Sequence, residues 1–193
     1  MSAQSDTKTS SVSRPELLKS LATQYLAIGF VPIPLEGKKP LPLAWQTINK
    51  DTALKTLEQF PGANNLGILT GTPSQIVVLD IDVRENGLET WRKLITEHDI
   101  PKTLIVETGS GGYHVYFQYD PRMDKLTNSK VKGIGFDFKT TGGQVVAAGS
   151  IHPITHKEYL IISGYQKGDT SVKLALMPDF LYSIIYNDQL TKK

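Results

Sequence analysis

Short segments rich in β-branched and aromatic residues recur along this 193-residue chain, and they constrain its fold more than any other feature. Turn-forming residues bound each of them, and in chain order they read LGILTG, QIVVLDIDV, TLIVET, YHVYFQY, GIGFDFK, QVVAAGS and EYLIIS. Runs of this length and composition between turn residues are typical of strands. We therefore predict a central, mostly antiparallel sheet.

Helical patterns precede, interrupt and follow these strands. Residues 14–30 carry a proline in the first turn, apolar side chains near a 3.6-residue period and a glycine at the end, which indicates a helix. Further helices are predicted at 52–60, 87–97 and 178–186. The proline-rich segment 31–45, which contains Lys38 and Lys39, is predicted to be extended or turn-like. The combination indicates an α/β or α+β fold.

Composition excludes several classes of site. The chain has no cysteine, so disulfide scaffolds, thiolate zinc sites and cysteine nucleophiles are excluded, and a cytoplasmic location is favoured. A polar start predicts a disordered tail over 1–13, followed by one domain over 14–190. No apolar run approaches the ~18 to 20 residues that cross a bilayer, so we expect no membrane partner. A formal net charge of +2 is compatible with a nucleic-acid partner but does not identify one.

Two carboxylates end the apolar segment IVVLDIDV. Side chains alternate along a strand, so Asp80 and Asp82 share one face with Ile76 and Val78. Like charges on one face repel each other, and a divalent cation with oxygen ligands, such as Mg²⁺, would relieve that repulsion. The segment therefore indicates either a metal site or two acids that reach solvent where the strand leaves the sheet.

A glycine-rich turn precedes the strand YHVYFQY. Glycines at Gly109, Gly111 and Gly112 allow backbone amides to approach phosphate oxygens closely, and Ser110 adds a hydroxyl. His114 follows on the strand, in a position to contact a triphosphate. The alternative is an ordinary hairpin turn before a partly exposed histidine, since the chain contains no Walker motif.

Two later segments carry further candidates. In GIGFDFK, alternation places Asp137 and Lys139 on one face, as a third metal ligand and a charge for phosphate. The same two residues also fit a simple surface ion pair, or the D/E-x-K pattern of metal-dependent nucleases. Ser150 and His152 close QVVAAGSIH with a hydroxyl and an imidazole.

In their order along the chain, these motifs resemble a known family. The motifs Asp80-Ile-Asp82, Ser110-Gly-Gly-Tyr-His114, Phe136-Asp137-Phe138-Lys139 and Gly149-Ser150-Ile151-His152 are similar to the successive motifs of bifunctional primase-polymerases in the archaeo-eukaryotic primase superfamily. Upstream, AIGFVPIPLEGKKP, Trp45 and NNLGILTG resemble the amino-terminal part of that family. The similarity thus spans about residues 20–165.

The resemblance implies a primase catalytic core, in which a sheet like that of RNA-recognition motifs packs against an amino-terminal α/β unit. It also implies a DNA-directed nucleotidyltransferase, with Asp80, Asp82 and Asp137 holding two divalent ions, Mg²⁺ or Mn²⁺. His114 is then expected to bind the phosphates of the incoming nucleotide. The neighbouring contacts implied by the resemblance are Ser110, Gly111, Gly112, Lys139, Ser150 and His152.

The partners implied are nucleoside triphosphates, with either sugar, and a single-stranded DNA template with its primer. The same resemblance points to a DNA-associated replication protein of a plasmid, phage or other mobile element. Many relatives continue into a helical primase domain and a helicase, which this sequence lacks. We therefore expect a catalytic fragment or stand-alone polymerase that extends primers better than it starts them. A helicase domain or subunit outside this chain is an expected partner.

Two positions depart from the family's pattern. Lys139 stands where relatives often have arginine, and Ala148-Gly149 stands where they often have two prolines, so the phosphate geometry there is open. Two other functions also fit parts of the sequence. One is the D/E-x-K nuclease, and the other is a non-catalytic module that binds single-stranded or origin DNA by stacking bases on aromatic side chains of YHVYFQY.

Overall fold

A computed structural model describes residues 12–165 and 172–192 of the chain. Over these residues the α-helices are α1 (Arg14–Ala27), α2 (Ala53–Gln59), α3 (Gly87–Glu97) and α4 (Asp179–Leu190). The strands are β1 (Pro32–Glu36), β2 (Lys39–Pro40), β3 (Asn65–Leu69), β4 (Ile76–Ile81), β5 (Ile105–Glu107), β6 (Tyr113–Gln118), β7 (Ser129–Val131), β8 (Phe136–Lys139), β9 (Gln144–Val146), β10 (Leu160–Ser163) and β11 (Ala175–Leu176). The tail predicted over 1–13 lies outside the described residues, apart from Val12 and Ser13.

The strands form two sheets. The four-stranded sheet has the order β2-β1-β3-β9, and the seven-stranded sheet has the order β10-β5-β6-β4-β8-β7, with β11 beside β6. The described strand pairs are antiparallel except for β11 and β6, which are parallel. The predicted α/β (α+β) class, with a mostly antiparallel sheet packed against an amino-terminal unit, is confirmed.

The seven-stranded sheet is buried on both faces at β4. Leu79 and its neighbours at alternate positions share a core with Trp91 of α3 and Leu181 of α4. Ile76 and Val78 belong instead to the core that includes α1, α2 and the four-stranded sheet. The predicted alternation along this strand is therefore confirmed, and position 80 faces the space between the two sheets.

The helices and the proline-rich segment differ in detail from the prediction. The proline-rich segment forms the β1–β2 hairpin, with Gly37 at φ +61° in its turn. Helix α4 continues to Leu190, past the predicted end at 186, because Gln189 exchanges hydrogen bonds with the backbone of Thr127 at 2.8 and 3.0 Å. Among the described helices, none is both long and apolar enough to span a membrane.

Candidate active site

The register of β4 gathers three of the predicted site residues. Asp80 is the cross-strand partner of Asp137 on β8 and of His114 on β6. Side chains of such partners project from the same face, with Cβ atoms ~4.5–5.5 Å apart. The side chains of Asp80 and Asp137 are 33% and 24% exposed, while that of His114 is almost fully buried. Two carboxylates and an imidazole therefore form a row across the middle of the seven-stranded sheet, called here the carboxylate row.

One cationic side chain, that of Lys139, partly neutralises the carboxylate row. Lys139 Nζ lies 2.7 Å from Asp137 Oδ2, which is a hydrogen-bonded ion pair on the same strand face. His114 Nε2 lies 3.7 Å from Asp80 Oδ1, a distance too long for a direct hydrogen bond. Asp80 thus has the weaker compensation of the two acids.

Asp82, the third predicted ligand, lies just beyond β4. Its backbone N–H donates to Gly135 O at 2.9 Å, and its carboxylate accepts from the backbone and guanidinium of Arg84 at 3.0 Å. Partial burial raises the pKa of Asp82, but the hydrogen bonds and charge of Arg84 outweigh that effect and lower it overall. Asp82 is therefore a carboxylate turned toward Arg84.

The donor chemistry of the carboxylate row suits a divalent ion, because Mg²⁺ and Mn²⁺ prefer carboxylate oxygens. As they stand, the described residues include no group of three or more Asp, Glu or His side chains that could hold a metal ion. The structure brings Asp80 and Asp137 together and leaves Asp82 paired with Arg84. The side chain of Arg84 is 82% exposed, so separating that pair costs little free energy.

His114 is a buried and neutral imidazole. Burial lowers its pKa, and the charges of Lys38 and Lys139 lower it further, while Asp80 opposes them. Its Nδ1 atom is buried and has no hydrogen-bond partner among the described residues. A buried polar atom without a partner is costly, so the fold tolerates an energetic penalty at this position.

The glycine-rich turn packs directly on the end of β4. Gly111 N–H donates to Thr108 O at 2.8 Å, and Gly112 N–H donates to Thr108 Oγ1 at 3.0 Å. A Cβ atom at Gly112 would lie 2.2 Å from Ile81 O, so only glycine allows this approach. Both amides are thus engaged within the turn, and the exposed Ser110 at its tip shares a hydrogen bond of 3.0 Å with Thr108 Oγ1.

Ser150 and His152 are buried beside this region and already have partners. Ser150 Oγ donates to Leu66 O at 3.1 Å and accepts from Leu66 N–H at 3.0 Å, which joins its loop to β3. His152 Nδ1 accepts from the N–H groups of Ile154 and Thr155 at 3.2 and 3.1 Å. A Cβ atom at Gly109 would lie 2.3 Å from His152 Cβ, so His152 supports the glycine-rich turn.

Two residues that the sequence did not identify as site residues meet at the β1–β2 turn, and the charge of one of them, Lys38, acts on His114. Lys38 lies in the β1–β2 turn, and Gln144 Nε2 of β9 donates to its carbonyl oxygen at 3.3 Å. Gln144 Oε1 is buried and has no hydrogen-bond partner among the described residues. The only local sequence feature that points to this turn is a glycine followed by two lysines between prolines. Nothing in the local sequence indicates which strands the turn contacts.

Comparison with protein families identifies the family of this chain. A family model described as Prim-Pol, the amino-terminal part of bifunctional DNA primase/polymerases, matches residues 22–179 and so includes every predicted site residue. No curated protein matches the chain. Members of such a family act on nucleotides and DNA as nucleotidyltransferases. Because the match covers most of the sequence, the chain belongs to the Prim-Pol family of bifunctional DNA primase/polymerases.

Proposed function

We propose that the chain adds nucleotides to a primer on a single-stranded DNA template, with Asp80, Asp82 and Asp137 as the ligands of two divalent ions, Mg²⁺ or Mn²⁺. The observation that carries this proposal is the register of β4, which sets Asp80 between Asp137 and His114. Two acids beside an imidazole suit nucleotidyl transfer, because carboxylates bind the metal ions of such reactions and an imidazole can donate to phosphate.

The acids and their cationic partners have complementary roles in the proposal. Divalent ions would activate the primer 3′-hydroxyl and neutralise charge on the triphosphate. Asp80 and Asp137 would hold the ions from neighbouring strands, and Asp82 would join them on separating from Arg84. Lys139 would exchange its contact with Asp137 for a phosphate oxygen. No covalent intermediate with the protein is required.

His114 is proposed to donate a hydrogen bond to a phosphate oxygen. A neutral imidazole carries one ring proton, so it donates from one nitrogen only. Nε2 is the nitrogen that faces Asp80, at 3.7 Å from Oδ1, and it is therefore nearest to the proposed metal ions. A bound triphosphate adds negative charge, so nucleotide binding is expected to raise the pKa of His114.

The remaining predicted contacts divide into two groups. Ser110, at the tip of the glycine-rich turn, and Lys139 are proposed to contact phosphate oxygens, while Gly111, whose N–H donates to Thr108 O, is proposed to hold the shape of that tip. Gly112 and His152 are proposed to support that turn through their close packing against Ile81 and Gly109. Ser150 is proposed to act indirectly, since both hydrogen-bonding functions of its hydroxyl are used by Leu66.

The biological setting proposed is replication of a mobile element, with primer extension as the main activity and a helicase domain or subunit as a partner. Support for this setting comes from the family alone. Efficient synthesis on unprimed single strands would contradict the preference for extension.

Primer extension with each metal and each sugar type tests the proposed function. Wild type is compared with Asp80→Ala and Asp82→Ala, and the exposed Asp51→Ala is the control for loss of a carboxylate elsewhere. The expected result is metal-dependent extension by wild type and Asp51→Ala. A loss of at least about a hundredfold is expected for the other two variants. Equal extension by all variants would refute the assigned ligands.

A metal-dependent nuclease is the second candidate, and the 2.7 Å contact between Lys139 and Asp137 favours it, because the D/E-x-K pattern needs these side chains together. The two functions differ in substrate. A nuclease degrades DNA with Mg²⁺ or Mn²⁺ alone, whereas a polymerase requires nucleoside triphosphates. Metal-dependent loss of labelled DNA without triphosphates, abolished by Lys139→Ala, would favour the nuclease.

A further inference from the structure

The β1–β2 turn is fixed by side chains at the start of β3 and on β9, the strand at the far edge of the four-stranded sheet. Gly37 N–H donates to Asn64 Oδ1 at 2.8 Å, and Gly37 O accepts from Asn65 Nδ2 at 2.8 Å. Gln144 Nε2 donates to the carbonyl of Lys38 at 3.3 Å. Three amide side chains thus hold the backbone around Lys38, while the lysine side chain itself is exposed.

The same turn lies against the loop that carries His152. Asn65 Nδ2 also donates to Ile151 O at 2.7 Å, and a Cβ atom at Gly37 would lie 3.6 Å from Pro153 Cβ. From this loop, a row of rings leads to the carboxylate row. The ring centroid of Tyr159 is 6.2 Å from that of His152 and 5.8 Å from that of His114.

The positive charge of Lys38 acts on both ends of this row of rings. Burial lowers the pKa of His114 and of His152, and the charge of Lys38 lowers each of them further. Within 12–165 and 172–192, Lys38 forms no ion pair, whereas Lys139 is already paired with Asp137. An exposed, unpaired ammonium group on a fixed turn is suited to binding an anion.

We propose that Lys38 is a further nucleotide-binding residue, which reaches from the four-stranded sheet to the phosphate oxygens of the incoming triphosphate, and that Gln144 positions it. This proposal rests on the proposed function, because it takes the triphosphate to lie against the carboxylate row, beside His114. The phosphates would then be contacted from both sheets, with His114 and Lys139 on one side and Lys38 on the other.

The neighbouring lysine provides a matched control. Lys39 is also exposed, but it is the cross-strand partner of Glu36 at the outer edge of the four-stranded sheet. Loss of its charge changes the net charge by the same amount as loss of Lys38. The change in net charge is therefore the same for both variants, and a difference between them reports the position of the Lys38 ammonium group.

The test measures triphosphate binding, DNA binding and primer extension for wild type, Lys38→Ala, Lys38→Arg and Lys39→Ala. Binding of a deoxynucleoside triphosphate and of inorganic tripolyphosphate is followed by calorimetry with Mn²⁺. For Lys38→Ala, we expect the Kd of both anions and the KM for nucleotide to rise about tenfold, equivalent to ~1.4 kcal/mol. For the same variant, we expect kcat and the Kd for primed DNA to stay within about twofold of the wild-type values. Lys38→Arg should recover part of the lost nucleotide affinity, and Lys39→Ala should resemble wild type.

Gln144 is tested through its dependence on Lys38. Gln144→Ala is expected to raise the KM for nucleotide when Lys38 is present and to add little in the Lys38→Ala background, because it acts through that residue. A purely structural effect of Gln144 would instead be the same in both backgrounds. That result would refute the positioning role.

The outcomes separate this inference from the proposed function. If wild type extends no primer with either metal, the proposed function fails, while the binding measurements still test Lys38 because they need no turnover. If Lys38→Ala binds both anions as wild type does, the inference about Lys38 fails and the proposed function is unaffected. Weakened DNA binding with unchanged triphosphate binding would also overturn it, since Lys38 would then contact the DNA backbone.

Discussion

Removing one charge from the carboxylate row should stabilise the metal-free protein while it abolishes metal binding. We predict this result for Asp80→Asn, which keeps the size of the side chain and removes its charge. Asp80 and Asp137 are cross-strand partners on neighbouring strands. Two unit charges ~5 Å apart repel each other by about 3 kcal/mol at an effective dielectric constant of ~20.

Two features of the structure reduce this figure. The two side chains are 33% and 24% exposed, so solvent screens the repulsion, and the Lys139–Asp137 ion pair at 2.7 Å offsets part of it. We therefore expect Asp80→Asn to raise the free energy of unfolding by roughly 1 kcal/mol in EDTA. For a chain of this length that corresponds to an increase in Tm of about 2–4 °C.

Thermal and urea unfolding, with and without Mn²⁺, provide the assay. At a metal concentration about a hundred times its Kd, wild type should gain ~2.7 kcal/mol, whereas Asp80→Asn should gain much less. The exposed Asp51→Asn is the control and should behave as wild type in both conditions. A lower stability of Asp80→Asn in EDTA, or equal stabilisation of both proteins by Mn²⁺, would refute the reasoning.

Three further predictions concern the surroundings of the carboxylate row. Gly112→Ala should destabilise the protein by about 1–3 kcal/mol in urea unfolding, because the new Cβ would lie 2.2 Å from Ile81 O. Gly62→Ala is the control and should change stability little, because a Cβ atom there would have no heavy atom within 4 Å. Ser150→Ala should cost about 1–3 kcal/mol in urea unfolding, because it leaves the buried N–H of Leu66 without a partner, while the C=O of Leu66 keeps its hydrogen bond from Ala147 N–H at 2.9 Å. Burial lowers the pKa of His114, so the unfolded state binds a proton more readily than the folded state does. The free energy of unfolding should therefore reach its full value above about pH 6.5 and fall as the pH decreases below it. In urea unfolding between about pH 7 and pH 5, His114→Gln should lose less stability than wild type as the pH falls. The exposed His156→Asn is the control and should behave as wild type. An unchanged pH dependence in His114→Gln, or the same reduction in His156→Asn, would contradict the assignment of this pH dependence to His114.

The strand alternation and the motif order were predictable because they depend on local properties of the chain. Side chains in a strand alternate every residue, so the apolar sequence around Asp80 already indicated which face it shares with Val78, and the structure agrees. The fold class was predictable for the same reason, since strand and helix signals are read over short windows. The end of α4 was predicted too early because it depends on the contact of Gln189 with Thr127, which is distant in sequence.

Whether each predicted site residue already has a hydrogen-bond or ion-pair partner was not predictable from local sequence. The hydroxyl of Ser150 and the amides of Gly111 and Gly112 looked available for phosphate in the sequence. In the structure they have partners, which are Leu66 and Thr108. Asp82 shares the predicted strand face with Asp80, but its contact with Arg84 depends on how the chain leaves β4. The same residue types can bind a ligand or contact other parts of the protein, and the neighbouring residues determine which of the two they do.

By itself, the sequence determined most of the strands and helices, the face that Asp80 shares with Val78, and the family to which the chain belongs. Only the tertiary structure decided that Asp80 lies beside both Asp137 and His114, and that the Lys38 turn meets β9. The reason is that alternation is a property of a single strand, whereas register joins strands far apart in the chain. A shift of one residue in that register would place the acids on opposite faces of the sheet.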